Sequence, residues 1–266
     1  MISDRKSEMA DRGYTIIPGF LRGDQEQIIT THLSRMARMT LSPPLPRRHT
    51  LGSNLVALWE ESPQLMMGLM KQFQLLPELY SIGERAALPV LFELGMGASC
   101  VFTMRPLVRA DHPKLSIHEH YWKTPPHQDW PSMGGSLNSL TVWVALDDVP
   151  YEMGPLEVLP GSHRALYPTT LMAGGFHAVD DGDLPSRNWV CVPLNHGDAV
   201  VFSSFLVHRS GMNRHPTEPR VSLQWRFSDM NCRWWRSQNF RLLYEHVQTP
   251  GGVTPTPEEL GEVWCD

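Results

Sequence analysis

The chain has 266 residues, of which 41% are hydrophobic and 19% charged, so it can form a folded core and is not a disordered protein. Its net charge is -5 and its 23 Lys and Arg residues are scattered, which argues against nucleic acid as a partner. A charged start and the lack of any run of about 18 apolar residues predict a cytoplasmic protein without a membrane segment. We expect a single domain over residues 1–266.

The first part of the chain has the residue spacing of helices. GYTIIPGFL (13–21) predicts a short strand and turn, and DQEQIITTHLSRMARM after it predicts a helix with Asp24 as its N-cap. Residues 40–54 hold three prolines and predict a long loop that can cover a site. ESPQLMMGLMKQFQLL and PELYSIGERAAL predict further helices, whose apolar residues pack a core rather than line a cofactor site. A helical layer therefore occupies mostly residues 1–88.

Short β-type runs begin at residue 89 and are separated by glycine, proline and aspartate. They are PVLFEL, CVFTMRPLV, KLSIHEHYW, SLTVWVALDDV, PLEVLP, WVCVPL, DAVVFSSFLVH and RVSLQWRFSD. The pattern predicts a mainly β fold with flanking helices, a β-sandwich or jelly roll over about 89–230, followed by a C-terminal tail at 231–266. The turn-rich stretch 173–188 is a second candidate lid.

The four cysteines are too far apart in sequence for a structural zinc site or a redox dithiol. They are Cys100, Cys191, Cys232 and Cys265. We expect all four to be reduced and mostly packed.

The stretch PPHQDWPSMGG (125–135) places His127 and Asp129 two residues apart. In an extended strand, residues i and i+2 point to the same side, so the two side chains can converge. His208 ends the apolar run AVVFSSFLVH and can supply a third ligand. Two histidines and one carboxylate that leave three positions open are typical of non-heme Fe(II) oxygenases. The spacing alone nevertheless favours a turn hydrogen bond between the first two residues and an ordinary buried histidine at the third.

Arg220 opens the run RVSLQWRF, which follows the second histidine. Its planar guanidinium can bind a carboxylate through two hydrogen bonds, and the hydroxyls of Ser210 and Ser222 can complete such an anchor. The alternative is that Arg220 lies at a solvated strand end.

Four blocks together resemble the phytanoyl-CoA dioxygenase superfamily of Fe(II)- and 2-oxoglutarate-dependent oxygenases. They are HQDW (127–130), SLTVWVALDDV (139–149), GPLEVLPGSH (154–163) and VHRSGMNRHPTEPRVSLQWRF (207–227). The resemblance implies a double-stranded β-helix, a cupin-like jelly roll, with iron bound by His127, Asp129 and His208. It also implies that Arg220 binds the distal carboxylate of 2-oxoglutarate, with Ser210, Gln128 and Trp143 near the same co-substrate. Gly161 and His163 are taken as architectural.

The resemblance further implies that 2-oxoglutarate and O2 are converted to succinate and CO2 while a small-molecule substrate is oxidised. Because the carboxylate ligand Asp129 is present, hydroxylation is favoured over halogenation. We expect a small polar metabolite, such as a saccharide, a nucleotide or a secondary-metabolite intermediate, ahead of a lipid thioester. The oligomeric state is left open.

Substrate contacts are expected from Lys123, Trp130 and Arg105, and from the loops at 40–54, 105–116 and 173–188. Several arginines in these loops can meet an anionic substrate, or can equally be ordinary surface charges. They are Arg47, Arg48, Arg105, Arg109 and Arg187.

Two other classes of function remain open at this point. One is a jelly-roll module that binds a metal or a sugar without oxidation. The other is a cupin-like hydrolase or isomerase that uses the same three ligands without 2-oxoglutarate. Arg220 distinguishes them, because only the oxygenase needs a cation for the co-substrate.

Overall fold

The computed structural model describes residues 5–44, 50–115, 123–172, 176–242, 255–261 and 263. Five helices come first: α1 (Arg5–Arg12), α2 (Asp24–Thr40), α3 (Leu51–Glu61), α4 (Pro63–Phe73) and α5 (Pro77–Glu93). Three shorter helices follow: α6 (Trp130–Met133), α7 (Arg233–Ser237) and α8 (Pro257–Gly261). None of the helices in these ranges is long and apolar enough to cross a membrane.

Eleven strands are described. They are β1 (Tyr14–Ile17), β2 (Cys100–Phe102), β3 (Leu107–Asp111), β4 (Leu140–Ala145), β5 (Leu156–Val158), β6 (Thr170–Met172), β7 (Phe176–Ala178), β8 (Val190–Val192), β9 (Ala199–Ser203), β10 (His208–Ser210) and β11 (Arg220–Asp229).

The described strands form two larger antiparallel sheets and a separate two-stranded one. The larger sheet has the order β1-β9-β4-β11, with β3 and β2 both paired to the remaining edge of β11. The smaller sheet has the order β10-β5-β8, and β6 pairs with β7 separately. This arrangement of a mainly antiparallel sheet with flanking helices confirms the predicted jelly roll.

Strand β11 is buried on both faces. Because successive side chains of a strand point to opposite faces, its odd- and even-numbered residues lie in different environments. Its odd-numbered residues from 221 to 227 belong to the core shared with the helices: Val221, Leu223, Trp225 and Phe227. Its even-numbered residues from 220 to 226 are polar, and three of them line one cavity together with residues of the smaller sheet: Arg220, Gln224 and Arg226. The large sheet therefore covers the helical layer with one face and builds a polar cavity with the other.

The helices cover the outer face of the large sheet. Trp225 is fully buried there, and its indole Nε1 donates a hydrogen bond to the carbonyl oxygen of Leu79 on α5 at 2.9 Å. Gly83, one helical turn further on, allows this contact, because a Cβ atom there would lie 2.4 Å from the same Nε1. Close approach of α5 to β11 thus depends on a glycine.

Several local predictions were wrong. PVLFEL is the end of helix α5, not a strand: Ala87, Val90 and Leu91 have the i, i+3, i+4 spacing of its buried face. The helical layer therefore extends to Glu93, beyond residue 88. DAVVFSSFLVH is also not one strand, because the chain turns after Ser203 and enters the other sheet at His208.

The expectations for the N-cap of α2, for the two candidate lids and for the cysteines are met only in part or lie partly outside the described residues. Asp24 is the first residue of α2, but the N-cap position is Gly23 and no side-chain capping bond is present. Of the two candidate lids, residues 45–49 and 173–175 lie outside the described residues. Cys100, Cys191 and Cys232 are free, whereas Cys265 lies outside the described residues.

Candidate metal centre

His127, Asp129 and His208 come together between the two sheets. One ligand atom of each lies within 4.8 Å of the others, and all three side chains are buried. The Oδ1 atom of Asp129 is 3.6 Å from Nε2 of His127 and 4.0 Å from Nε2 of His208. Two imidazoles and one carboxylate in this arrangement can hold a divalent metal ion on one face.

Backbone pairing positions the two histidines. His127 and His208 form an isolated antiparallel bridge, in which each backbone N–H donates to the carbonyl oxygen of the other at 3.0 and 2.9 Å. The Nδ1–H of His127 donates to the carbonyl of Pro125, and that of His208 donates to the carbonyl of Leu206, both at 2.9 Å. Each ring therefore keeps its Nε2 lone pair for a metal.

Burial, and then the neighbouring His127, lowers the pKa of His208 to about 3. The imidazole of His208 is thus neutral at physiological pH, which is the state that binds a metal.

Asp129 does not lie in an extended strand, contrary to the geometry expected of the His-x-Asp pair. It has φ -69° and ψ -37° and directly precedes helix α6, whose first turn contains Pro131. Proline is favoured at the first turn of a helix, so the chain turns immediately after the bridge at His127. The two side chains converge because the chain bends, rather than because a strand alternates.

The carboxylate of Asp129 is held by groups from the large sheet. Its Oδ2 accepts hydrogen bonds from Thr141 Oγ1 at 2.7 Å and from Arg226 Nε at 3.1 Å. Burial raises the pKa of Asp129, but the Arg226 guanidinium and the two histidines lower it by more, so it lies well below its usual value. Asp129 is therefore ionised, with Oδ1 directed towards the two histidines.

A cavity of about 210 Å³ adjoins the three residues. Arg109, Asp111, Thr124, Trp143, Ser210, Arg220, Gln224 and Arg226 line it together with His127, Asp129 and His208, among others. This volume is below the roughly 300–1,000 Å³ of typical ligand pockets, so the cavity suits a small, charged molecule.

Arg220 lies in this cavity with 2% of its side chain exposed. Its guanidinium donates to the carbonyl oxygen of Gly154, to Ser210 Oγ at 3.3 Å and to Asp111 Oδ2 at 2.5 Å. The guanidinium carbon also lies 5.6 Å from the centre of the Trp143 ring. A cation is thus held on the same cavity wall that faces the three candidate ligands.

Residues 105–221 match the family model for phytanoyl-CoA dioxygenase. The matched range contains the three candidate ligands and Arg220. This part of the chain is therefore similar to the phytanoyl-CoA dioxygenase family. The resemblance predicted from the four sequence blocks is confirmed over residues 105–221.

Similar proteins include a curated relative and two solved structures. The peroxisomal phytanoyl-CoA dioxygenase of Bos taurus is 31% identical over 108 residues, which are 37% of this chain and 31% of the bovine protein. The chain thus matches only about a third of that relative's length. The epimerase SnoN, solved with Fe3+, alpha ketoglutarate and nogalamycin RO, is 25% identical, with a TM-score of 0.51 over 85% of this chain and 82% of SnoN.

The carbocyclase SnoK from nogalamycin biosynthesis has the same fold, with a TM-score of 0.51, 21% identity and coverage of 86% of this chain and 84% of SnoK.

The residues expected from the superfamily pattern to contact 2-oxoglutarate divide into two groups. Arg220, Ser210 and Trp143 line the cavity. Gln128 does not, because its amide donates to the carbonyls of Ala165 and Phe205 and accepts from the N–H of Tyr167. The side chain of Gln128 therefore joins backbone segments and is fully used in doing so.

Ser222 is buried beside the cavity, between two lining residues of β11. Its Oγ has no hydrogen-bond partner among the described residues, and neither do Arg220 Nε and Arg226 Nη1. Buried polar atoms without partners are costly, and a bound carboxylate would provide acceptors for them. The donor set of this wall thus fits an anionic co-substrate.

Of the expected substrate contacts, Lys123, Trp130 and Arg105 are not among the described residues that line the cavity. Trp130 is buried against Phe205, with ring centres 5.2 Å apart, and belongs to a separate hydrophobic cluster. Arg105 is exposed and Lys123 is half-buried. Of the arginines in the candidate loops, Arg109 lines the cavity from strand β3, and Arg187 is exposed. Arg47 and Arg48 lie outside the described residues.

Three residues of the site were not assigned a role from the sequence: Arg226, Thr141 and Asp111. Arg226 and Thr141 are directly paired across β11 and β4, and Asp111 is paired with Arg220 across β3 and β11. The alternation of β11 offered one signal, because Arg226 has the same parity as Arg220. The pairing of distant strands, on which the other two depend, is not visible in the sequence.

Proposed function

We propose that this protein is a non-heme Fe(II)- and 2-oxoglutarate-dependent dioxygenase that hydroxylates, or otherwise oxidises, a small polar metabolite. The observation that carries the proposal is that the buried group His127, Asp129 and His208 shares one cavity with Arg220. Such a combination serves a metal and a dicarboxylate together. The match of residues 105–221 to the phytanoyl-CoA dioxygenase family model supports it.

Each residue has a defined task in this proposal. The Nε2 atoms of His127 and His208 and Oδ1 of Asp129 bind the iron, while Thr141 and Arg226 hold the other carboxylate oxygen in place. Arg220 and Ser210 bind the distal carboxylate of 2-oxoglutarate, and the buried hydroxyl of Ser222 adds a donor. When bound, iron and 2-oxoglutarate would supply the oxidising chemistry together with O2. The products of 2-oxoglutarate would be succinate and CO2.

The protein's contribution is binding, orientation and exclusion of water. The cavity walls come from two sheets, so the ligands and the guanidinium lie on rigid elements. A small, buried cavity strengthens each electrostatic contact within it. The described side chains do not need to transfer a proton for hydrogen abstraction from the substrate.

A secondary-metabolite intermediate is the substrate class with most support. SnoN, which is 25% identical, was solved with nogalamycin RO as well as Fe3+ and alpha ketoglutarate. The curated bovine relative acts on a CoA thioester by its name, but it matches over only 31% of its length. SnoN is called an epimerase, so the proposal includes oxidations whose net result is not hydroxylation.

The proposal predicts that 2-oxoglutarate binds at the metal and that Arg220 is required for tight binding. Anaerobic titration of the Fe(II)-loaded protein with 2-oxoglutarate should give a weak visible charge-transfer band. In Arg220→Ala the apparent affinity should fall more than tenfold, because a buried carboxylate loses its charged partner. Arg220→Lys should lie between the two, since lysine keeps the charge without the planar fork.

The matched control is Arg187→Ala, whose side chain is 73% exposed and which should bind like the parent. Circular dichroism verifies that each variant is folded. Absence of the band in a parent that demonstrably holds iron would reject the oxygenase. It would favour a hydrolase or isomerase that uses the same three ligands, or a binding module.

A further inference from the structure

We infer that Asp111 competes with the co-substrate for Arg220, and that Arg109 holds Asp111 when the co-substrate is bound. This inference rests on the proposed function, because it assumes that Arg220 is the anchor for a dicarboxylate. It makes Asp111 and Arg109 positioning residues that determine the affinity for 2-oxoglutarate without contacting the metal.

The carboxylate of Asp111 accepts hydrogen bonds from two arginines, Arg109 and Arg220. Its Oδ2 lies 2.5 Å from Arg220 Nη2, and its Oδ1 lies 2.9 Å from Nη2 and 3.2 Å from Nε of Arg109. The exposed fractions of the side chains are 4% for Asp111, 2% for Arg220 and 23% for Arg109. One carboxylate therefore bridges a fully buried cation and a second cation nearer to solvent.

The pairing of strands β3 and β11 in the large sheet brings the residues of this bridge together. Asp111 on β3 is directly opposite Arg220 on β11, and Arg109 is opposite Ser222. Directly opposed residues on antiparallel strands have Cβ atoms about 4.5–5.5 Å apart, so their side chains meet. Arg109, Asp111 and Arg220 also line the cavity of the candidate metal centre.

A dicarboxylate can bind Arg220 only in competition with the Asp111 carboxylate. Its distal carboxylate and the Asp111 carboxylate would both contact one buried guanidinium, where like charges repel more strongly than in water. Arg109 offers Asp111 a second partner through both Nε and Nη2. Transfer of Asp111 to Arg109 alone would free Arg220 for the co-substrate without leaving a buried charge unpaired.

The two residues should therefore affect co-substrate binding in opposite directions. Asp111→Asn removes the competing charge and should tighten binding of 2-oxoglutarate by about threefold to tenfold. Arg109→Gln leaves Asp111 with Arg220 as its charged partner in this bridge and should weaken binding by a similar factor. The double variant should resemble Asp111→Asn, because Arg109 acts through Asp111. If Asp111 instead only oriented Arg220, the asparagine variant would bind more weakly.

Isothermal titration calorimetry tests this on protein loaded with Mn(II), which keeps catalysis out of the measurement. Dissociation constants are measured for 2-oxoglutarate and for 2-oxobutyrate, a keto acid that has no distal carboxylate. Opposite shifts for the two single variants with 2-oxoglutarate, and none with 2-oxobutyrate, support the inference. Weaker 2-oxoglutarate binding by a folded Asp111→Asn variant, or equal changes for both keto acids, overturns it.

A parent that retains Mn(II) but binds no 2-oxoglutarate overturns the proposed function, and this inference with it. A parent that binds 2-oxoglutarate while Arg109→Gln leaves its affinity unchanged overturns the inference alone.

Discussion

At the level of single residues, Arg226 compensates the buried negative charge of Asp129 in the candidate metal centre. Asp129 has 5% of its side chain exposed and Arg226 has 9%, and they form an ion pair at 3.1 Å. Arg226 Nη2 also donates to Gln224 Oε1 at 2.8 Å, which holds the guanidinium against the sheet. Arg226 is the main positive charge that compensates Asp129.

Arg226→Gln should therefore destabilise the metal-free protein by about 3–5 kcal/mol, the usual cost of leaving one partner of a buried pair uncompensated. Arg226→Lys should recover part of this loss. The matched control is Arg209→Gln, because Arg209 also lines the cavity and pairs with Glu157 at 2.5 Å, but 34% of its side chain is exposed.

That control should cost less, about 1 kcal/mol, because solvent partly screens its ion pair. Urea denaturation of the metal-free proteins measures all three differences. Equal losses for the glutamine variants of Arg226 and Arg209 would contradict this role of Arg226.

Among the elements, strand β11 and helix α5 show how the helical layer supports the site. The residues of β11 that pack on the helices alternate with those that line the cavity. Any displacement of Trp225 by the helix would therefore be passed to Gln224 and Arg226 on either side of it.

Gly83→Ala on α5 should destabilise the protein by about 1–3 kcal/mol, because its methyl group would overlap the buried indole of Trp225. Gly68→Ala on α4 is the control: Gly68 is exposed and nothing lies within 4 Å of its Cβ position. That substitution should be neutral or stabilising by up to about 1 kcal/mol, since alanine favours a helix over glycine.

Thermal and urea unfolding of both variants measures the difference. A Gly83→Ala variant as stable as Gly68→Ala would mean that α5 can move away from the sheet at little cost.

For the whole molecule, one buried histidine outside the candidate metal centre, His163, contributes to the pH dependence of stability. His163 has 2% of its surface exposed, and burial, followed by the charge of Arg164, lowers its pKa to about 4. An unfolded histidine has a pKa of about 6.5, so between these values the unfolded chain binds more protons than the folded one. The contribution is complete above about pH 6.5 and is lost as the pH falls towards 4.

The metal-free parent should consequently lose more stability than His163→Gln when the pH is lowered from 7.5 to 5.5. The expected difference between the two losses is about 1 kcal/mol, from one histidine that stays neutral only in the folded state. Urea denaturation at the two pH values measures it. Identical losses would show that His163 does not contribute to the pH dependence.

Much of this organisation could be predicted from the sequence, because it depends on local pattern. Short β-type runs after a helical segment predicted a jelly roll with a helical layer, and RVSLQWRFSD was one of the runs predicted as a strand. The candidate ligands and Arg220 were found because their residue types and spacing occur in a known family pattern. PVLFEL was misassigned because a short apolar run fits a strand and a helix equally well.

The sequence by itself thus determined the order of the elements and the residues that can bind a metal and a carboxylate. Only the tertiary structure decided which side chains surround them. Gln128 turns away from the cavity because the chain bends at Asp129, and Asp111 and Arg226 enter it through strand pairing. Local pattern depends on neighbours along the chain, whereas side-chain direction at a bend and register between distant strands depend on the folded whole.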